Sequence, residues 1–189
     1  MKKIYFLICL CLSFLSAVAN NETVNTYLEP NFIGEVYVIN EGETLLLEKQ
    51  KSLIHAKATA VKYLLGIGDV KVRVQIANEL SSTRIKKGED LKFLVRVENN
   101  RKDPLAGVTL FKFEQKKGKR TAIIKLEGPL ISNSATKLNQ HEFVAERYGE
   151  FSYLLSVKNL EEGEYGILVD GTIGPDGMIV ISTFGVGDN

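Results

Sequence analysis

Residues 91–98 read Leu-Lys-Phe-Leu-Val-Arg-Val-Glu, and this stretch decides the fold class. Apolar side chains occupy every second position, at Leu91, Phe93, Val95 and Val97. Successive side chains of a strand point to opposite faces of a sheet, whereas those of a helix return to one face about every 3.6 residues. The alternation therefore predicts a β-strand with one buried face.

The same alternation recurs on both sides of this strand, in short segments bounded by Gly, Asn, Asp or Pro, the residues that turns use. The further predicted strands are residues 71–77, 107–114, 120–126, 151–158, 164–169 and 178–184. Short strands at this spacing are typical of an antiparallel β-sandwich. The sequence therefore predicts an all-β fold.

Residues 160–165, Leu-Glu-Glu-Gly-Glu-Tyr, select among the all-β folds. A turn containing Gly163, followed by a strand that opens on Tyr165, is typical of a tyrosine corner, in which the phenol hydroxyl bonds back to upstream backbone. The alternative is a surface loop followed by an ordinary edge tyrosine. With the corner accepted, the seven strands are assigned as A, B, C, C′, E, F and G of an immunoglobulin-like sandwich domain over residues 70–189. Since B and E must be antiparallel, residues 128–149 contribute either no full strand or two.

The preceding residues 20–69 are predicted to be an N-terminal β extension of the sandwich. Residues 32–39 and 44–49 form a hairpin in this interpretation. Residues 53–65 fit two templates, because their apolar residues alternate like a strand and also fall on one face of a helix that Gly66 would cap. We prefer the strand.

The first 19 residues have the three parts of a signal peptide. Lys2 and Lys3 are the basic start, residues 4–15 are uncharged, and Ala17-Val18-Ala19 matches the cleavage pattern. We predict cleavage after Ala19 and an exported protein, periplasmic or secreted, with no membrane span after signal cleavage. The alternative of a retained anchor is disfavoured because the apolar run is shorter than the roughly 20 residues that span a bilayer.

Cleavage would also remove Cys9 and Cys11, the only cysteines, and with them any disulfide or thiolate chemistry. A lipoprotein would need a small residue before the acylated cysteine, but Ile8 and Leu10 stand there. The whole chain has 24 Lys and Arg against 23 Asp and Glu, so that losing Lys2 and Lys3 leaves 22 against 23. This balance predicts no nucleic-acid partner, because such binding needs surplus positive charge.

Catalytic signatures are missing from the sequence. Only His55 and His141 are present, which excludes a three-histidine metal site, and no nucleophile elbow or phosphate-binding glycine loop occurs. Two suitably spaced carboxylates, as a glycosidase needs, remain open among 23 acidic residues. We predict a protein that is not an enzyme and that has no cofactor.

Function is therefore expected in the B–C and F–G loops, which lie at one end of such a sandwich. The candidate binding residues in these two loops are Asn99, Asn100, Arg101, Asp103, Asp170 and Asp176. The side-chain oxygens of Asp103, Asp170 and Asp176, with Asn99 or Asn100, are of the kind that calcium takes. The same residues form turns, and we prefer the turn interpretation with no metal. We expect a module that binds a partner protein or envelope component. The alternative is a carbohydrate-binding or carbohydrate-processing accessory domain. The sequence assigns neither the ligand nor the oligomeric state.

Several short motifs carry a resemblance across most of the mature chain. These are Gly34-Glu35, Leu47-Glu48-Lys49-Gln50, Gly66-Ile67-Gly68, residues 93–100 with Asp103-Pro104, and Gly163-Glu164-Tyr165. Together they resemble a group of uncharacterised small exported bacterial proteins of the Bacteroidota kind. No activity is attached to that group, so that the resemblance implies no functional residue here.

Overall fold

The structure is a computed structural model that describes residues 27–55, 70–87, 90–126, 139–173 and 178–187. Within these ranges the chain is almost entirely strand. The strands are β1 Val36–Asn40, β2 Glu43–Leu46, β3 Glu48–His55, β4 Val70–Ala77, β5 Arg84–Ile85, β6 Leu91–Arg96, β7 Val108–Lys112, β8 Glu114–Lys116, β9 Lys119–Leu126, β10 Gln140–His141, β11 Val144–Tyr148, β12 Ser152–Val157, β13 Gly163–Ile173 and β14 Met178–Val186. One helical turn, α1 Pro104–Gly107, precedes β7. The prediction of an all-β fold is confirmed.

The first sheet has five antiparallel strands in the order β11-β12-β6-β1-β2. Val95 of β6 lies at its centre, opposite Val36 of β1 on one side and Tyr153 of β12 on the other. All three side chains are buried. The most regular alternation in the sequence thus forms the middle of this sheet.

The second sheet has the order β10-β7-β13-β14-β3-β4-β9-β8, with β5 paired parallel to the end of β14. Phe113 alone separates β7 from β8, so that one nearly continuous stretch of chain pairs with β13 through β7 and with β9 through β8. The sheet therefore curls into a closed ring of six antiparallel strands, with β7 and β8 counted as one. The other five are β13, β14, β3, β4 and β9. We call it the curled sheet.

Two apolar cores follow from this curvature. One lies between the two sheets and contains Phe93, Val95, Tyr153, Tyr165 and Phe184. The other lies inside the curled sheet and consists of Val74, Ile76, Phe111, Phe113, Ala122, Ile124, Leu168, Ile179 and Ile181. Because alternate residues of one strand face opposite sides, the same strands β7, β13 and β14 supply both cores.

Most of the predicted strands are found near their predicted bounds. The β1–β2 hairpin is present, β6 pairs with β12, and β13 pairs with β7 on one side and with β14 on the other. The assignment of residues 71–77 as the first strand of the sandwich is wrong in its pairing. These residues form β4, which pairs with β3 and β9 in the curled sheet, and β1 takes the place beside β6. Alternation identifies a strand but not its partner, because partners are distant in sequence. The immunoglobulin-like assignment itself stays a prediction.

The segments that the sequence left open resolve only in part. Residues 139–148 supply two strands, β10 and β11, and residues 127–138, which belong to the same predicted segment, lie outside the described residues. Residues 53–55 end β3, and the rest of the segment 53–65 lies outside the described residues. The hairpin and β3, predicted as an N-terminal extension, pair with strands of the C-terminal part in both sheets.

The tyrosine corner is present. The Tyr165 hydroxyl donates a 2.7 Å hydrogen bond to the carbonyl of Glu161, four residues upstream. The ring is fully buried and stacks on Phe184, with centroids 5.4 Å apart. Burial, with the nearby Glu161 carboxylate, raises the pKa of Tyr165 to about 12, so that the phenol stays a neutral donor.

A buried charged cluster closes one end of the curled sheet. Arg120 is fully buried, and its guanidinium donates to Glu164, whose side chain is 1% exposed, and to the carbonyl of Asn78. Arg84 pairs with the other oxygen of Glu164. Glu48 completes the cluster, 3.9 Å from Arg120. We call Glu48, Arg84, Arg120 and Glu164 the charged cluster.

The charged cluster holds the segment that crosses between the sheets. The Ser81 backbone N–H donates to Glu164 at 2.7 Å, and the Ser82 N–H and the Ser81 hydroxyl donate to Glu48 at 3.1 and 2.7 Å. Burial alone would raise the pKa of Glu48, but the hydrogen bonds that it accepts outweigh burial and lower that pKa. The cluster balances two cations with two carboxylates, and its central pair, Arg120 and Glu164, is buried, which indicates a structural role.

Candidate functional site

The B–C loop, residues 97–107 between β6 and β7, lies beside the β11–β12 turn and the end of β13. Two adjacent clefts open there, and we call them the loop-end clefts. The larger, about 480 Å³, is lined by Glu98, Asn99, Asn100, Arg101, Lys102, Glu150 and Phe151. The smaller, about 140 Å³, is lined by Val97, Glu98, Asn99, Lys102, Gly107, Tyr153, Val169, Asp170 and Gly171.

Hydrogen bonds with the β11–β12 turn and with β12 hold the B–C loop in place. The buried Asn100 side chain donates to the carbonyls of Gly149 and Ser152, at 3.3 and 3.1 Å. The Tyr153 hydroxyl donates to the carbonyl of Lys102 at 2.8 Å, and burial raises the pKa of this phenol. The loop is therefore anchored to the β11–β12 turn and to the sandwich core.

Local bonds shape the loop further. The Asn99 carboxamide oxygen accepts the N–H of Arg101 at 2.9 Å, which closes an Asx turn. The Asp103 carboxylate accepts the N–H of Leu105 at 2.9 Å and caps α1, with Pro104 at the first helical position. These contacts support the prediction that Asn99 and Asp103 form turns.

The upper surface of the loop is polar and open. Glu98, Asn99, Arg101 and Lys102 are all exposed although the backbone beneath them is held in place. Two cations and one carboxylate lie within five residues, next to the exposed Glu150 of the facing turn. Such a surface can recognise a ligand by charge and hydrogen bonds without conformational rearrangement.

The structure brings together most of the predicted site. Asn99, Asn100 and Arg101 line the larger cleft, and Asn99 and Asp170 both line the smaller one. Asp103 lines neither cleft in these contacts and caps α1 instead. Asp176 lies outside the described residues. Within the described ranges, no three His, Cys, Asp or Glu side chains lie close enough to hold a metal ion.

Sequence reasoning missed the facing wall, Glu150 and Phe151. The turn Gly149-Glu150 was recognisable as a turn, but its position opposite the B–C loop depends on the pairing of β12 with β6. Missed as well was Glu29, whose carboxylate sits against this turn. It accepts the N–H groups of Glu150 and Phe151 at 2.8 and 2.9 Å and the Ser152 hydroxyl at 2.6 Å.

Arg96 completes the surroundings of that carboxylate. Its guanidinium lies 3.6 Å from Glu29 and 4.5 Å from the Phe151 ring centroid. Burial opposes ionisation of Glu29, but the hydrogen bonds from Ser152, Glu150 and Phe151 and the charge of Arg96 outweigh burial and lower its pKa. We call the ion-pair partner Arg96 and the donors Glu150, Phe151 and Ser152 together the carboxylate socket.

A third cleft, about 400 Å³, lies on the side of the sandwich between β7, β10 and the start of β11. His141 faces it beside Tyr165, with ring centroids 5.4 Å apart. Burial and the nearby Lys112 lower the pKa of His141, against the opposing charge of Glu161. No second titratable partner is positioned for acid–base catalysis among the described lining residues, other than the exposed Glu142.

Comparison with known proteins finds no matching family model, no matching curated protein and no matching solved structure. None of the helices in the described part of the chain has the length and apolar character needed to cross a membrane.

Proposed function

We propose that the protein is an exported, non-catalytic binding module whose loop end recognises a partner protein or envelope component. One observation carries this proposal. Four exposed polar side chains, those of Glu98, Asn99, Arg101 and Lys102, stand over a 480 Å³ cleft on a loop whose backbone is anchored by buried hydrogen bonds. Function concentrates on loops that a rigid scaffold positions, because a preordered loop loses little entropy on binding.

The lining of the cleft favours a protein partner over a glycan. A sugar ring stacks on an open aromatic face, and Phe151 is the aromatic residue of the larger cleft. Its ring is already covered by the Arg96 guanidinium at 4.5 Å, and the side chain is only partly exposed. The charged side chains of Glu98, Arg101 and Lys102 are exposed and can form ion pairs and hydrogen bonds at the rim of a protein interface.

The experiment is a saturation binding assay of the purified mature protein on fractions of the cell envelope and of soluble exported proteins. The variant Arg101→Ala with Lys102→Ala removes both cations of the loop. The control variant Lys116→Ala with Lys119→Ala removes two exposed cations from the β8–β9 hairpin, at the opposite end of the β7–β8 stretch. We expect saturable binding that the loop variant weakens about tenfold or more and that the control leaves unchanged.

Equal binding by the loop variant and the control variant would contradict the proposal. Selective retention on a glycan array would establish the carbohydrate alternative. Hydrolysis of a glycan or peptide panel, lost on Glu98→Gln with Glu150→Gln, would make the protein an enzyme.

A further inference from the structure

Residues 27–31 are a short N-terminal segment that belongs to neither sheet. They precede β1 and form no strand ladder. We call them the strap. Leu28 is 86% exposed, and the strap is held by polar contacts with the β11–β12 turn, by the Asn31 N–H on the Glu35 carboxylate and by the buried Pro30.

The carboxylate socket, by contrast, is built from the body of the fold. Its two N–H donors and the Ser152 hydroxyl follow Gly149 in the β11–β12 turn, where Gly149 has a φ of +57°. A Cβ at Gly149 would clash with the Glu29 carboxylate. Convergent N–H groups after a left-handed residue, with an arginine beside them, form an anion-binding concavity.

A second contact involves only backbone groups of the strap. The Tyr148 hydroxyl accepts the N–H of Tyr27 and donates to the carbonyl of the same residue at 2.8 Å. Any residue except proline offers those two groups. The side chain between the two contacts, Leu28, points into solvent. The site therefore selects for a carboxylate two residues after a backbone anchor, in an extended segment.

This geometry also places the socket in the wall of the larger cleft. Glu150 and Phe151 line that cleft and hold Glu29 with their backbone N–H groups. A segment bound in the socket thus lies next to the exposed side chains of the B–C loop.

We propose that the carboxylate socket is the anchor for an acidic, extended segment of the partner protein, and that the strap is its internal competitor. This inference rests on the proposed function, because it names the partner chemistry of the same loop end. Glu29, from the same chain, occupies the socket in the way that we propose for a glutamate of the partner. An incoming segment with glutamate at the matching position would replace the strap and continue over the cleft.

The test uses the mature chain and a blocked synthetic hexapeptide of sequence Tyr-Leu-Glu-Pro-Asn-Phe, identical to residues 27–32, with a second peptide that carries Gln instead of Glu. Binding is followed by NMR on the backbone N–H signals of Glu150 and Phe151. The protein is used as wild type, as Glu29→Asp and as Glu29→Gln, which weaken the internal competitor in steps.

We expect the Glu peptide to bind Glu29→Gln about tenfold more tightly than the Gln peptide does, because only a carboxylate forms charge-assisted bonds with these donors. It should return the two N–H signals towards their wild-type positions. Affinity should rise from wild type through Glu29→Asp to Glu29→Gln, so that the Asp variant tests the proposal even where the Gln variant fails to fold.

Equal binding of both peptides, or equal affinity in all three proteins, would overturn the proposal and make Glu29 a local structural contact. The envelope assay stays separate. If the peptides are distinguished but envelope binding does not depend on Arg101 and Lys102, the proposed function alone is contradicted. If envelope binding depends on Arg101 and Lys102 but the peptides are not distinguished, this inference alone is contradicted.

Discussion

The Arg120 guanidinium lies 3.2 Å from the Glu164 carboxylate, and both side chains are buried at the closed end of the curled sheet. Arg120 sits on β9 and Glu164 on β13, 44 residues apart. The pair joins strands that are not neighbours in the sheet, and Ser81 connects it to the crossing segment.

Replacing Arg120 by Met should therefore destabilise the fold strongly. The change keeps most of the volume but leaves Glu164 with Arg84 as its remaining cation and the Asn78 carbonyl without this donor. We expect a loss of about 3 kcal/mol in the free energy of unfolding, measured by urea denaturation. Lys119→Met, at the exposed neighbouring position, is the control. A loss below about 1 kcal/mol would contradict a structural role for the pair.

Tyr165→Phe should lower the free energy of unfolding by about 1 to 3 kcal/mol, because it removes the hydroxyl that bonds to Glu161 and leaves that carbonyl without this donor. The measurement is again chemical denaturation. Tyr37→Phe is the control, since the structure shows no hydrogen bond from that hydroxyl to the described residues. An unchanged midpoint for Tyr165→Phe would mean that the corner contributes nothing to stability.

The same tyrosine should make the fold sensitive to alkali. Its folded pKa of about 12 lies above the ordinary value of 10, so that the unfolded state loses the phenol proton first. The stabilisation is complete below pH 10 and is lost as the pH rises towards 12. We expect the wild-type melting temperature to fall faster over this range than that of Tyr165→Phe. Parallel curves would refute the assignment.

Glu48 should contribute an opposite, acid-side dependence. Its pKa is lowered from the usual 4.5, so that its stabilisation is present above pH 4.5 and is lost as the pH falls through the folded-state pKa. The stability of Glu48→Gln should therefore depend less on pH in the acid range than that of the wild type. Glu114→Gln, at an exposed position, should follow the wild-type slope.

Calcium should leave the melting temperature unchanged. Asp103 is engaged in capping α1, and the described residues hold no cluster of three ligating side chains. Thermal melts with millimolar calcium and with a chelator test this expectation. A rise of several degrees that Asp170→Asn abolishes would instead assign the loop end to calcium, because a ligand that binds only the folded state stabilises it.

The loop end shows how far a single sequence reaches towards a site. Asn99, Asn100 and Arg101 were predicted because strand B ends there, and a strand end is a local property. The facing residues Glu150 and Phe151, and the Glu29 carboxylate, escaped prediction because their positions depend on long-range contacts. The contacts of Asn100 with the facing turn span 48 to 52 residues, and those of Glu29 span 121 to 123 residues.

By itself the sequence determined the strands and the tyrosine corner. Alternation at Leu91, Phe93 and Val95 is a period of two along the chain, and Tyr165 reaches a carbonyl only four residues away, so that both signals are local.

Only the tertiary structure decided which strands pair. Residues 70–77 carry the alternation of a sandwich strand, yet they close the curled sheet between β3 and β9. Arg120 is a polar residue in a strand pattern, and its burial becomes favourable only once Glu164 and Glu48 are brought beside it. Alternation reports which face is apolar, whereas pairing and charge burial depend on partners that the folded chain alone brings together.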